Sequence, residues 1–167
     1  MEESMRGYLP LSHGANLSKS MCPKTDEEIE TMSRIPYASV IGSIMYVMIS
    51  TRPDITYSLG VASRYKSNPD LLHWKAVKDI LKYLRRTKNF FLVYGSGELK
   101  FKGYTDSSFQ SDVDDSKSTS GFVFKPNGGA VSWKSSKQNT TADSTTETEY
   151  IAASASVNEG VWMRNFI

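Results

Sequence analysis

At 167 residues, with 39% hydrophobic, 23% charged and 11% aromatic residues, the sequence has the make-up of a folded globular chain with room for one sizeable core but not two large ones, which excludes collagen-like, mucin-like and wholly disordered classes. The net charge of +2 is too small to point to a polyanionic partner without local clustering. A single cysteine, Cys22, excludes an internal disulfide and a multi-cysteine zinc site, and two histidines, His13 and His73, offer little for metal ligation or a Ser/His/Asp triad.

Met1 to Arg6 lack a basic stretch followed by an apolar run, so no signal peptide is read and an intracellular chain, cytoplasmic or nuclear and not secreted, is expected. Residues 1–33 mix Pro10, Gly14, Pro23 and the acidic run Asp26 to Glu28 without sustained periodicity, which predicts an extended lead-in with no assigned chemistry. Residues 34–88 predict a small helical module. After Pro36, the positions Tyr37, Ile41, Ile44, Met45 and Met48 recur at helical spacing. Pro36 and several Ser and Thr keep this stretch short of the roughly 20 apolar residues of a membrane span, so a buried helix is expected and no membrane partner. Pro53 and Asp54 suit the first turn of a second helix, closed by Ser67 to Pro69. Asp70 caps a third, with Trp74, Val77, Leu81 and Leu84 as its apolar stripe.

Residues 89–167 change from helical to alternating periodicity. Phe90 to Tyr94 and Leu99 to Phe101 around Gly95-Ser96-Gly97 predict one hairpin; Gly121 to Phe124 and Ala130 to Trp133 around Pro126 to Gly129 predict another. Ser144-Thr145-Thr146-Glu147 reads as a capping box, opening a helix from Thr145 to near Asn158.

Three groups of residues invite a chemical reading. Asp106 ends a strand and Glu149 stands in the first turns of the last helix; converging carboxylate oxygens of this kind suit Mg²⁺ and phosphodiester hydrolysis, while singly such residues cap or face solvent. Glu147 is accounted for by its capping position. Lys75, Lys78, Lys82 and Arg85, with Arg86 close by, line one side of the third helix, as a surface that tracks nucleic-acid backbone or as an ordinary solvated face. Lys134, Lys137 and Gln138 add basic and amide groups beyond the second hairpin, suited to phosphate or sugar contact. Asp112, Asp114 and Asp115 fail the EF-hand pattern, with Lys117 where Gly is required, and read as a solvated acidic loop.

Ile35 to Tyr46, Thr51-Arg52-Pro53-Asp54, His73-Trp74 and Leu81 to Thr87 resemble the segment that follows the polymerase core in copia-type retrotransposon reverse transcriptases. Gly103-Tyr104-Thr105-Asp106, Ser118 to Phe124, Gly128 to Gln138 and Ser144 to Ala153 resemble the ribonuclease H domain of the same Pol polyproteins. The resemblance implies Mg²⁺-dependent cleavage of the RNA strand in RNA–DNA hybrids, with Asp106 and Glu149 as catalytic metal ligands. It also implies a thumb and connection segment that grips duplex through the Lys75 to Arg86 stripe, and the remainder of the Pol polyprotein as partner. The family's third carboxylate, in an Asp-Asn motif after the helix, has no counterpart beyond Glu159, and the polymerase Tyr-x-Asp-Asp motif is absent. Thr148 replaces the family's more usual Ala. The expected fold is therefore α+β: a helical module, then an incomplete ribonuclease H-like fold of antiparallel strands and one packed helix, inactive alone. Two other readings stay open, a non-catalytic nucleic-acid-binding remnant and an assembly fragment that pairs through an exposed sheet edge.

Overall fold

The computed structural model describes residues 7–12, 14–95 and 100–166. The opening Met1 to Arg6, His13 and the Ser96 to Leu99 part of the expected first hairpin lie outside the described residues. The fold is α+β, with five α-helices and one three-stranded antiparallel sheet among the described residues. The chain divides into two compact units, Met1–Phe91 and Leu92–Ile167.

The first unit holds α1 (Asp26–Ser33), α2 (Tyr37–Thr51), α3 (Thr56–Ser63) and α4 (Leu71–Arg86). Helix α1 lies in the expected extended lead-in. It forms because Thr25 accepts from the Glu28 amide at 3.3 Å while the Glu28 carboxylate accepts from the Thr25 amide at 3.1 Å. This capping box, with three acidic residues in the first turn, satisfies amides that a short helix otherwise leaves bare. On α2 the spacing of Tyr37, Ile41 and Ile44 buries all three, whereas Met45, expected on the same face, is 38% exposed. Pro53 opens a 3₁₀ turn, Pro53–Ile55, that leads into α3. The core is one cluster of Tyr37, Ile41, Ile44, Ile55, Leu59, Ala62, Val77 and Ile80. Full burial of a large aliphatic side chain contributes roughly 1.5–3 kcal/mol. Tyr37 donates to the Ala62 carbonyl at 2.8 Å, and burial pushes its phenol well above the ordinary value.

The apolar stripe of α4 is rotated from the expected one. His73, Ala76, Val77 and Ile80 are buried, with Trp74, Leu81 and Leu84 packed at the margin of the core. His73 is fully buried because it completes the cap: its Nδ1 accepts from the Asp70 amide at 2.9 Å, and its ring stacks on Tyr65 at 4.1 Å. Tyr65 in turn donates to the Leu17 carbonyl at 2.6 Å, tying the lead-in to α3 and α4.

The second unit holds β1 (Phe101–Ser108), β2 (Thr119–Pro126), β3 (Ser132–Lys137) and α5 (Thr145–Phe166). The strands follow the order β1-β2-β3, with Asp106 opposite Gly121 and Gly121 opposite Ser135. The second hairpin forms as expected. Asn127 and Gly128 both take positive φ, 51° and 88°, the requirement of a tight turn matched to strand twist. Phe90 to Tyr94 do not form the strand expected of them. The Gly95 amide donates to the Asn127 carbonyl at 2.9 Å and Tyr94 donates to the Ala130 carbonyl at 3.0 Å, so the segment runs against the β2–β3 turn rather than entering the sheet. Gly129 permits this approach, since a Cβ there would run into the Tyr94 ring.

Helix α5 continues eight residues past its expected end. It lies on the sheet face that carries Phe124, and Gly160 lets it come close, a Cβ there meeting the Phe124 ring at 3.4 Å. Gly103 is small for the same reason, because Phe124 fills the space a side chain would need.

Candidate nucleic-acid interface and carboxylate site

The amino-terminal turn of α5 is fixed to the sheet by polar side chains. Ser144 accepts from the Glu147 amide at 3.2 Å, as the capping box predicts, but the Glu147 carboxylate reaches the Asp143 amide, at 2.9 Å, rather than that of Ser144. Thr148, one residue before Glu149, is fully buried; its hydroxyl lies 3.2 Å from that of Ser118 on the sheet side and donates to the Ser144 carbonyl at 3.1 Å. Gln138 donates from Nε2 to the Ser120 hydroxyl at 2.7 Å and to the Thr148 carbonyl at 3.1 Å. Gln138 is thus 6% exposed and ties β2 to α5, a structural role in place of the expected sugar or phosphate contact.

These ties set Glu149 at the end of the unit where β1 terminates, two residues beyond Asp106. Phe124, Ser120 and their even-numbered neighbours on β2 face α5, so Gly121 and its partner Asp106 stand on the opposite face of the sheet by strand alternation. Asp106 and Glu149 are both exposed. Among the described residues, no group of three His, Cys, Asp or Glu side chains is arranged to hold a metal ion. Mg²⁺ keeps near-octahedral geometry and dehydrates reluctantly, so two carboxylates without a third protein ligand would hold it loosely.

The acidic loop is built rather than solvated. Asp112 is 3% exposed, its carboxylate accepts from the Asp114 amide at 2.9 Å, and it meets Lys137 at 2.9 Å, with Asp115 on the same ammonium at 2.8 Å. Although desolvation opposes it, hydrogen bonding to Asp115 and Asp112 raises the Lys137 pKa. Lys137 therefore arrives at the surface already neutralised by two carboxylates, whereas Lys134 is exposed.

On α4 the basic stripe divides into two. Lys82 pairs with Asp79 at 3.1 Å, the guanidinium of Arg86 lies 3.6 Å from the centre of the Tyr8 ring, and Arg85 is half-buried and engaged. The lead-in runs along this side of the helix, with Gly7 against Lys82, and Leu11, Asn16 and Leu17 flanking Leu72, Lys75, Ala76 and Asp79 around a cavity of about 250 Å³. Lys75 and Lys78 stay exposed and meet no carboxylate among the described residues.

A further network escaped sequence reasoning. Arg52, 6% exposed, makes a two-pronged contact with Asp54, Nε to Oδ1 at 2.9 Å and Nη2 to Oδ2 at 2.7 Å, and also donates to the Thr87 hydroxyl and carbonyl. Tyr83 adds a hydrogen bond to Asp54 at 2.8 Å. Burial alone would raise the Asp54 pKa, but hydrogen bonds from Arg52 and Tyr83 outweigh it and hold the carboxyl below its ordinary value. In sequence the four residues stand in two separate motifs, Thr51 to Asp54 and Leu81 to Thr87, and only the tertiary structure joins them.

Comparison with known proteins gives these motifs a context. The chain is 48% identical over 158 residues, 95% of its length, to the retrovirus-related Pol polyprotein from transposon TNT 1-94 of Nicotiana tabacum. The chain belongs to the copia-type retrotransposon Pol family. It spans 12% of the length of that Pol polyprotein. It is also 46% identical over 133 residues to secreted RxLR effector protein 161 of Plasmopara viticola, covering 79% of this chain and 94% of that protein. The putative transposon Ty5-1 protein YCL074W of Saccharomyces cerevisiae is 33% identical over 144 residues, 85% of this chain and 46% of that protein. No family model and no solved structure matches the chain. As a copia-type Pol segment, the chain has the rest of the polyprotein as its context. No single helix among the described residues is long and apolar enough to cross a membrane.

Proposed function

We propose that this Pol segment holds the backbone of an RNA–DNA hybrid without cleaving it on its own, inside the cell where such hybrids are made. The observation that carries the reading is a contrast in geometry. Lys75 and Lys78 lie one helical turn apart on α4, exposed and uncompensated, while Asp106 and Glu149, both exposed, join no group of three His, Cys, Asp or Glu side chains among the described residues. Mg²⁺-dependent cleavage of the RNA strand, the role that resemblance suggests for Asp106 and Glu149, we assign to the longer polyprotein, in which further oxygen ligands and strands can reorganise this edge.

Binding of an RNA–DNA hybrid, measured across a salt series, tests the reading. Replacing Lys75 and Lys78 with Gln should reduce the slope of log affinity against log salt by roughly one unit per lost contact. An unchanged slope refutes the backbone contact. Robust Mg²⁺-dependent cleavage by the 167 residues, abolished in Asp106→Asn, refutes the assignment of hydrolysis to the longer polyprotein.

A further inference from the structure

The lead-in crosses the basic stripe of α4 at one end. Lys75, Lys82 and Arg86 stand at i, i+7 and i+11, one row along the helix, with Lys78 beside it. Gly7 lies directly on this surface: a Cβ there would meet the Lys82 Cβ at 3.2 Å, the Tyr83 amide nitrogen at 3.4 Å and the Asp79 carbonyl oxygen at 3.5 Å. The next residue, Tyr8, places its ring over the guanidinium of Arg86, 3.6 Å from the ring centre. The Gly7-Tyr8 step thus spans the gap between Lys82 and Arg86, where a phosphate held by both cations has to enter.

The two parts of the lead-in are held differently. From Leu11 on it is seated in the fold: Leu11 packs against the cluster of Leu17, Val61, Tyr65 and Ala76, and Tyr65 donates to the Leu17 carbonyl at 2.6 Å. Ahead of Leu11 the contacts lie at the surface, with Tyr8 76% and Leu9 52% exposed, and Arg86 exposed as well. A cation–π contact at an exposed site is weak, and a phosphate competes for the same guanidinium with a full charge and a two-pronged geometry. Lys75 and Lys78, at the other end of the stripe, are left uncovered.

We propose that residues 7–10 form an autoinhibitory latch on α4, which closes the Lys82 and Arg86 end of the stripe and is displaced by the phosphate backbone of an RNA–DNA hybrid. The latch rests on the backbone-holding role proposed above. Lys75 and Lys78 make the first contact; the backbone then takes Arg86 from Tyr8 and lifts the Gly7-Tyr8 step from Lys82. Apparent affinity is reduced by the fraction of molecules in which the latch is open.

Hybrid binding by the full 167-residue chain, together with chymotrypsin cleavage after Tyr8 read by mass spectrometry, tests the proposal. Tyr8→Ala should raise affinity about two- to fivefold, the strength of one exposed cation–π contact. The slope of log affinity against log salt should stay the same, because the bound state keeps the same cations. Arg86→Gln should lower that slope by roughly one unit, and adding Tyr8→Ala to it should change nothing further. Gly7→Val, whose side chain has too little room against α4, opens the latch by a second route and should also raise affinity. Saturating hybrid should speed cleavage after Tyr8 in the natural chain, and Arg86→Gln should speed it with no hybrid present. Unchanged or lower affinity in Tyr8→Ala, or slower cleavage in the complex, overturns the latch, because the ring then presents Arg86 to the backbone instead of withholding it. A salt slope that responds to Lys75→Gln and Lys78→Gln while Tyr8→Ala is inert removes the latch alone. A slope indifferent to both lysines removes the backbone-holding role, and the latch with it.

Discussion

The two units reach order by different means. In the first, eight side chains from α2, the 3₁₀ turn, α3 and α4 close into one apolar cluster, all at 3% exposure or less. In the second, the large apolar side chains buried below a tenth of their surface among the described residues are Phe124 and Met163, and much of the remaining interior is polar: Ser118, Thr119, Ser120, Gln138 and Thr148. Apolar burial is non-directional and tolerates small shifts, whereas buried polar groups stabilise only while their partners stay in place. The first unit is therefore held by area and the second by geometry.

The comparison breaks most sharply at Ile80. Ile80→Ala removes a fully buried side chain from the apolar cluster and should lower stability by about 2–5 kcal/mol, read as reduced hydrogen-exchange protection of amides in α2, α3 and α4. A loss below about 1 kcal/mol would show that this core collapses around the gap. The second unit should respond to polarity instead of volume. Thr148→Val keeps the shape but takes away the hydroxyl partner of the buried Ser118 side chain and one of the two hydrogen bonds to the Ser144 carbonyl, which keeps that from the Thr148 amide, so a cost of about 1–3 kcal/mol is expected in denaturant melts. A neutral result would mean that the junction is held by packing after all.

Acid sharpens the comparison within the first unit. The folded pKa of Asp54 is depressed, so its contribution is fully present above its unfolded pKa of about 3.9 and is lost as pH falls through the lower folded value. Stability should therefore drop more steeply below about pH 4 in the natural chain than in Asp54→Asn, which lacks the titrating group. Parallel curves would show that Arg52 does not hold this carboxylate.

Much of the architecture follows from local signals that need no partner. The 3.6-residue spacing of Tyr37, Ile41 and Ile44, the Asp70 and Ser144 caps, and the Asn127-Gly128 turn each act within a few residues, and each stands where the pattern puts it. Even α1 carried its Thr25-x-x-Glu28 signature, obscured by the prolines and glycine around it. The order of motifs along the chain likewise pointed to the copia-type Pol family before any contact was known. Distant contacts and strand register decided the rest. Whether Asp106 faces α5 depends on which residue of β2 it pairs with, and a shift of one position would reverse the face. Whether Lys82, Lys137 and Gln138 meet solvent depends on Asp79, on Asp112 and Asp115, and on Ser120 and Thr148. Residue type and local spacing settle which groups a segment carries, but the partners that neutralise or bury a charged or amide side chain are assembled by the tertiary fold.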